Sequence, residues 1–288
     1  MSILKTENLT YRYSVGTPFE VTALDDVNLE IEEGELVAVI GQTGSGKSTL
    51  IQHFNGLLKP SAGKIYVDGK DIWESKATLR EARFKVGLCF QYPEYQLFEE
   101  TAYKDIAFGP KNMGLSDEEI DRAVRRAAEF TGVTDEMLER SPFDLSGGEK
   151  RRVAIAGVMA MEPKILILDE PTSGLDPRGR DRILDLIENY REQTGSTVMI
   201  VSHSMDDVAK IATKVLVMND SKLISYDTVP GTFKDPDKLL SLGLDVPGIT
   251  KIFMELKSRG VPVRTDIYTL EKGIEELTKL REEGVSFD

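Results

Sequence analysis

Gly41, Gln42, Thr43, Gly44, Ser45, Gly46, Lys47 and Ser48 fill the pattern G-x-x-x-x-G-K-[ST] at every position. Glycines let a backbone wrap around phosphate groups with its N–H groups turned inward, and a following helix adds the positive end of its dipole. The flanks agree. Glu35 to Ile40 is an apolar, Val- and Ile-rich run of strand length. Lys47 to Phe54 reads as a helix closed by Gly56. In such a loop Lys47 reaches the β- and γ-phosphates of a nucleotide and the Ser48 hydroxyl binds Mg²⁺. A dinucleotide-binding G-x-G-x-x-G opening at Gly44 fails, because Thr49 stands where its third glycine belongs.

Downstream, Ile165 to Leu168 is an apolar strand that ends in Asp169 and Glu170. In doubly wound folds the C-terminal end of a buried strand opens beside the phosphate loop. Asp169 is then placed to hold Mg²⁺ through water, and Glu170 to orient or deprotonate the attacking water.

The rest of the chain supplies the frame. Ile3 to Tyr13 alternates loosely and reads as an edge strand, with Val21 to Ile31 as a second strand region. Pro60–Gly63 and Asp68–Gly69 are turn signals around a strand over Lys64 to Val67. Val86 to Phe90 is a further apolar run. Ser116 and Glu119 form a capping-box signature ahead of Ile120, Ala123, Val124 and Ala127. A second helix is expected from near Glu149 through Ala160, and another over Arg182 to Arg191. Thr197 to Val201 and Lys214 to Met218 read as strands. This alternation predicts an α/β domain with a mainly parallel sheet, and the helical stretch from about 91 to 160 reads as an inserted subdomain. Beyond Asn219 the pattern changes. Ile249, Ile252, Phe253 and Leu256 mark one amphipathic helix, with Gly260 as its C′ residue, and Leu270, Ile274 and Leu277 mark another.

Bulk properties narrow the function class. The chain has 288 residues and a net charge of −13, from 49 acids against 36 bases, which argues against a nucleic-acid partner. Cys89 is the single cysteine, so no intrachain disulfide forms, as suits a reducing compartment, and it reads as a core thiol. No secretory start is expected, and the longest apolar stretches fall well short of the roughly 20 residues needed to cross a bilayer. A membrane role therefore requires docking on another subunit.

Leu145-Ser-Gly-Gly-Glu149 separates this chain from other phosphate-loop enzymes. It resembles the L-S-G-G-Q signature of ABC ATPases. Other family elements follow in order. Gln91 resembles the Q-loop glutamine, a metal and water ligand. Ser173 to Asp176 resembles the D-loop, and His203 the switch histidine at the γ-phosphate. Tyr13, with Tyr11 as its competitor, resembles the aromatic that stacks on adenine. The resemblance implies an ABC ATPase fold with an N-terminal antiparallel β part, a nucleotide-binding domain over 1–220 and a C-terminal extension over 221–288 that forms dimers. It implies ATP and Mg²⁺ as ligands. Glu170, His203 and Lys47 would be catalytic, and Ser48, Gln91 and Asp169 would face the metal. Thr49 would help to hold nucleotide. Ser146, Gly147, Gly148, Glu149 and Asp176 would meet the nucleotide of a facing subunit. Glu149 departs from the family glutamine, and a carboxylate near a triphosphate repels it unless it faces a donor.

Tyr92 to Thr101 and Asp105 to Gly114 are similar to the cobalt and energy-coupling-factor importers, and Gln91 to Phe98 with Gly16 to Glu20 are similar to the second of two paired ATPase subunits in that group. That resemblance implies a head-to-tail dimer with a paralogous ATPase. It also implies a transmembrane coupling subunit, an exchangeable substrate-binding membrane subunit, and a peripheral place on the cytoplasmic face of the membrane. Vitamin uptake is the expected role. A cobalt or nickel importer and a soluble, non-transport ABC ATPase are the alternatives.

Overall fold

The computed structural model describes residues 2–283. Its strands are β1 (Ser2–Tyr13), β2 (Val21–Glu32), β3 (Leu36–Gly41), β4 (Ala62–Val67), β5 (Lys70–Asp71), β6 (Val86–Cys89), β7 (Ile165–Asp169), β8 (Thr197–Val201), β9 (Lys214–Asn219) and β10 (Lys222–Thr228). Its helices are α1 (Lys47–Phe54), α2 (Lys76–Lys85), α3 (Ala102–Met113), α4 (Asp117–Thr131), α5 (Asp135–Glu139), α6 (Gly147–Met159), α7 (Pro177–Thr194), α8 (Met205–Ile211), α9 (Val229–Phe233), α10 (Pro236–Ser241), α11 (Gly248–Ser258) and α12 (Leu270–Glu282).

Two sheets result. The larger runs β10-β9-β3-β8-β7-β6 and is parallel except for the β9/β10 hairpin. The smaller, β2-β1-β4-β5, is antiparallel. Strand β3 is apolar throughout because both its faces are covered. Leu36, Ala38 and Ile40 join the core shared with the helical side, and Val37 and Val39 join the core shared with the antiparallel sheet and α1.

The expectation that Ile3 to Tyr13 forms an edge is wrong. β1 lies between β2 and β4 and is paired on both sides. Its alternation looked weak because register shifts interrupt the pairing around Asn8, whose φ is +50°. The helix expected over Arg182 to Arg191 starts earlier, with Asp176 as N-cap and Pro177 in its first turn. The division expected at 220 falls inside a hairpin. Asp220 and Ser221 make the left-handed turn, and β10 continues the main sheet to Thr228. Phe233, Leu239, Leu244 and Val246 also pack into the main core. A separate small core begins only with α11 and α12, around Phe253, Val263, Ile267 and Leu280. The two helices form as the spacing predicts, but Ile252, Leu270 and Ile274 face outward. The last residues of the expected extension, 284–288, lie outside the described residues.

Candidate functional site

The C-terminal ends of β3 and β7 and the start of α1 open into a cleft of about 630 Å³. Tyr13, Thr43, Gly44, Gly46, Lys47, Ser48, Thr49, Gln91, Asp169, Glu170 and His203 line it. The sequence brings these together from five separate stretches. Ala23 and its neighbours Val21 and Thr22 also line the cleft, as does Val201, and no sequence signal marks them.

The loop's glycines answer to specific constraints. A Cβ on Gly46 would lie 2.4 Å from the Ala23 carbonyl oxygen, and the residue's φ of +101° also demands glycine. A Cβ on Gly41 would lie 2.4 Å from the Met218 carbonyl oxygen and 2.5 Å from Ser45 Oγ. Ser45 is buried beneath the loop, and the Gln42 side chain turns away from the cleft toward Gly243, where a Cβ would meet its amide nitrogen.

Lys47 is buried, and its ammonium donates to the carbonyl oxygens of Gly41 (2.7 Å) and Gln42 (2.9 Å). Burial pushes its pKa below the ordinary value, while the charges of Glu170 and Asp169 pull it up. Burial raises the pKa of Asp169, as does the adjacent Glu170 charge. A hydrogen bond from Ser48 and the charges of Lys47 and His203 act the other way. Two neighbouring acids in a half-buried cleft are thus only partly compensated by the protein's own cations.

Glu170 has φ +50°, a costly conformation for a non-glycine residue. Its amide donates to the Val201 carbonyl at 3.0 Å, and its carboxylate lies 2.9 Å from His203 Nε2. At the far end of the cleft, Tyr13 shares a 3.2 Å hydrogen bond with the Thr49 hydroxyl. Tyr11 lies behind it, packed edge-on against Tyr13 and His53, and does not line the cleft. His53 is fully buried with Nδ1 2.7 Å from the Thr49 carbonyl, and is a packing residue.

Ser146, Gly147, Gly148, Glu149 and Asp176 do not enter this cleft. Ser146 caps α6, and Glu149 closes a capping box. The Ser146 N–H donates to the Glu149 carboxylate at 2.7 Å, and the Glu149 N–H donates back to Ser146 Oγ at 3.4 Å. Hydrogen bonds to the carboxylate from the Ser146 N–H, first, and from the Ser146 side chain hold the Glu149 carboxyl below its ordinary pKa. The Asp176 carboxylate accepts from the Gly179 N–H at 2.7 Å at the head of α7.

The model of the ABC transporter family matches residues 24–173. The energy-coupling factor transporter ATP-binding protein EcfA2 of Clostridium tetani is 55% identical over 278 residues, 96% of each chain. The chain belongs to the energy-coupling-factor branch of the ABC transporter ATPases. EcfA2 of Caldanaerobacter subterraneus is 52% identical over 276 residues, again 96% of each chain. Among solved structures, cbiO1 from Clostridium perfringens, described as part of the ABC transporter complex cbiONQ, superposes with a TM-score of 0.74. It is 40% identical, over 90% of this chain and 97% of that one. A dimeric post-hydrolysis state of the cassette MJ0796 bound to ADP and Pi superposes with a TM-score of 0.70. It is 29% identical, over 78% of this chain and 98% of that one. The two-sheet architecture is therefore that of an ABC ATPase, and ATP hydrolysis coupled to transport is the activity of this family. Among the described residues no helix is long and apolar enough to cross a membrane.

Proposed function

We propose that this chain binds and hydrolyses ATP as one half of a head-to-tail pair, driving uptake of vitamins or related micronutrients from the cytoplasmic face of a membrane. The observation that carries the paired arrangement concerns Gly147 and Gly148. Neither has a positive φ, and a Cβ on either would meet nothing within 4 Å. Neither backbone conformation nor packing in this chain calls for glycine there. A close approach from outside does, and the N-terminus of α6 suits an anion. The triphosphate in the cleft of a facing cassette has that chemistry.

In this reading Tyr13 stacks on adenine and the loop from Gly41 to Thr49 cradles the phosphates. Ser48, Asp169 and Gln91 bring a hydroxyl, a carboxylate and an amide oxygen to one cleft, a hard donor set that fits Mg²⁺. Among the described residues no three His, Cys, Asp or Glu side chains converge as a metal cage, so the site is of the open kind that leaves most ligand positions to phosphate and water. Bound Mg²⁺ would supply charge neutralisation at the β- and γ-phosphates. Glu170 takes up the proton of the attacking water, and His203 holds the Glu170 carboxylate and faces the γ-phosphate. Because ATP touches both halves only when they are closed, it has the differential affinity needed to shift the pair toward closure.

The exposed aromatic residues Tyr95, Phe98 and Phe108 beside Gln91 are the proposed seat of a transmembrane coupling subunit, above which an exchangeable subunit selects the substrate. The test is uptake by the complex purified from native membranes and reconstituted in vesicles. ATP-dependent accumulation of a labelled vitamin is expected, and its loss with Glu170→Gln. Accumulation of cobalt or nickel ions instead would favour the metal-importer reading.

A further inference from the structure

The turn that follows Gln91 has an outer and an inner face. Outside, Tyr95 is 84% exposed. Inside, Glu94 in the one-turn helix Pro93–Gln96 reaches Arg151 on α6 through two hydrogen bonds, Nη2 to Oε1 at 3.0 Å and Nε to Oε2 at 3.2 Å. Arg151 is only 5% exposed. Its remaining nitrogen, Nη1, donates to the Ser173 carbonyl at 2.7 Å and lies 3.5 Å from that of Pro171. One planar guanidinium thus joins the outer turn, the α6 helix and the loop that leaves Glu170.

That loop is held on its other side too. The Thr172 hydroxyl donates to Asp207 at 2.9 Å, and buried Asp207 is paired with Arg180 at 2.5 Å. Within the loop the Ser173 N–H donates to the Glu170 carbonyl at 3.1 Å. Glu170, at φ +50°, keeps its strained backbone only while its surroundings impose it. Of the two restraints, the Arg151 side is the one that reaches the docking face. Tyr92, whose ring lies 6.0 Å from the Arg151 guanidinium, has φ +55°, so the turn itself is also held away from its relaxed form.

We propose that Arg151 is a positioning residue that makes the placement of the Glu170 carboxylate, and with it the rate of hydrolysis, depend on the Glu94 turn. The proposal rests on the reading of Glu170 as the base. A lysine cannot replace the guanidinium, since it has no planar fork to satisfy a carboxylate and a carbonyl at once. Removing either partner leaves a buried charge unpaired.

The experiment measures kcat and KM for ATP in the full complex bearing Arg151→Lys, Glu94→Gln, or both. Displacement of a reacting group by about 1 Å costs on the order of 100-fold in rate. Each single variant is therefore expected to lower kcat at least about tenfold while KM stays within about twofold, because neither residue lines the nucleotide cleft. The double variant should be no slower than the worse single one. Thermal unfolding identifies any variant that fails to fold, and Glu94→Gln keeps the shape and volume of the original side chain. Unchanged kcat in folded Arg151→Lys and Glu94→Gln, a rise in KM alone, or losses that multiply would each overturn the proposal. Glu170→Gln run in parallel separates the two ideas. Normal hydrolysis there overturns the assignment of the base itself, whereas lost hydrolysis there with unchanged Arg151→Lys overturns only the relay.

Discussion

His203 Nε2 lies 2.9 Å from Glu170 Oε1, joining the end of β8 to the end of β7 across the mouth of the cleft. Glu170 is the more buried of the pair, and its backbone is held left-handed by the amide bond to Val201. The imidazole is thus the group that fixes the direction of the carboxylate. Glu170→Gln keeps the shape but loses the carboxylate proposed as the base. Its kcat should fall by about 100- to 10,000-fold with ATP affinity retained, the range expected for a general base. His203→Ala should also lower kcat, and the double variant should lose less than the product of the two, because they act as a unit. Steady-state phosphate release checks all three.

Tyr13 and Tyr11 differ in what they face. Tyr13→Phe should bind ATP as the original does, since only an exposed hydrogen bond to Thr49 is lost. Tyr13→Ala should weaken binding by about 1 kcal/mol or more, the scale of a base–aromatic stack. Tyr11→Ala should chiefly lower thermal stability, because that ring packs on His53. Titration with a fluorescent ATP analogue and a melting curve separate the two outcomes.

The Glu149 carboxylate turns back onto the Ser146 N–H and so meets the donor that a carboxylate beside a triphosphate requires. Glutamine also serves at this position of a capping box. Glu149→Gln should therefore leave both the melting temperature and ATP-dependent pairing unchanged, and stronger pairing would show that the Ser146 N–H does not offset the charge. Ser146→Ala should cost about 1 kcal/mol of stability through loss of the cap. Calorimetry and light scattering test these expectations.

Cys89 closes β6 inside the core, and burial pushes its thiol up to about 12. Alkylation with iodoacetamide at pH 8 should be negligible in the folded chain and complete after unfolding. Rapid native labelling would show that β6 opens readily.

His53 sets a pH dependence. Burial lowers its pKa, so below 6.5 the unfolded chain takes up a proton that the folded one refuses. Stability from this residue is therefore full above 6.5 and is lost as the pH falls toward the depressed folded value. Melting temperatures from pH 7.5 to 5.5 should fall more steeply for the original chain than for His53→Gln.

The phosphate loop, the carboxylate strand and the signature loop were legible in the sequence because each joins a fixed spacing to a fixed chemistry. Strand β3 was legible because burial on both faces leaves a continuous apolar run. Three features were not. β1 lies inside its sheet, yet its bulge at Asn8 blurs the alternation that would have shown this. β10 pairs antiparallel to β9 through the Asp220–Ser221 turn and carries several exposed residues, so composition alone suggested a boundary. Arg151 carries no mark in the sequence, since only folding brings Glu94 and the Ser173 carbonyl to its two sides.

The most direct test of nucleotide joining two facing cassettes is a cross-link. Thr43 is exposed on the phosphate loop, and the native thiol at Cys89 is shielded. Thr43→Cys is combined with Glu170→Gln, and a cysteine replaces the serine of the partner's signature loop. A short bifunctional reagent should join the two chains when Mg²⁺ and ATP are present and leave them separate when they are absent. Equal cross-linking with and without ATP, or none under either condition, would contradict the pairing.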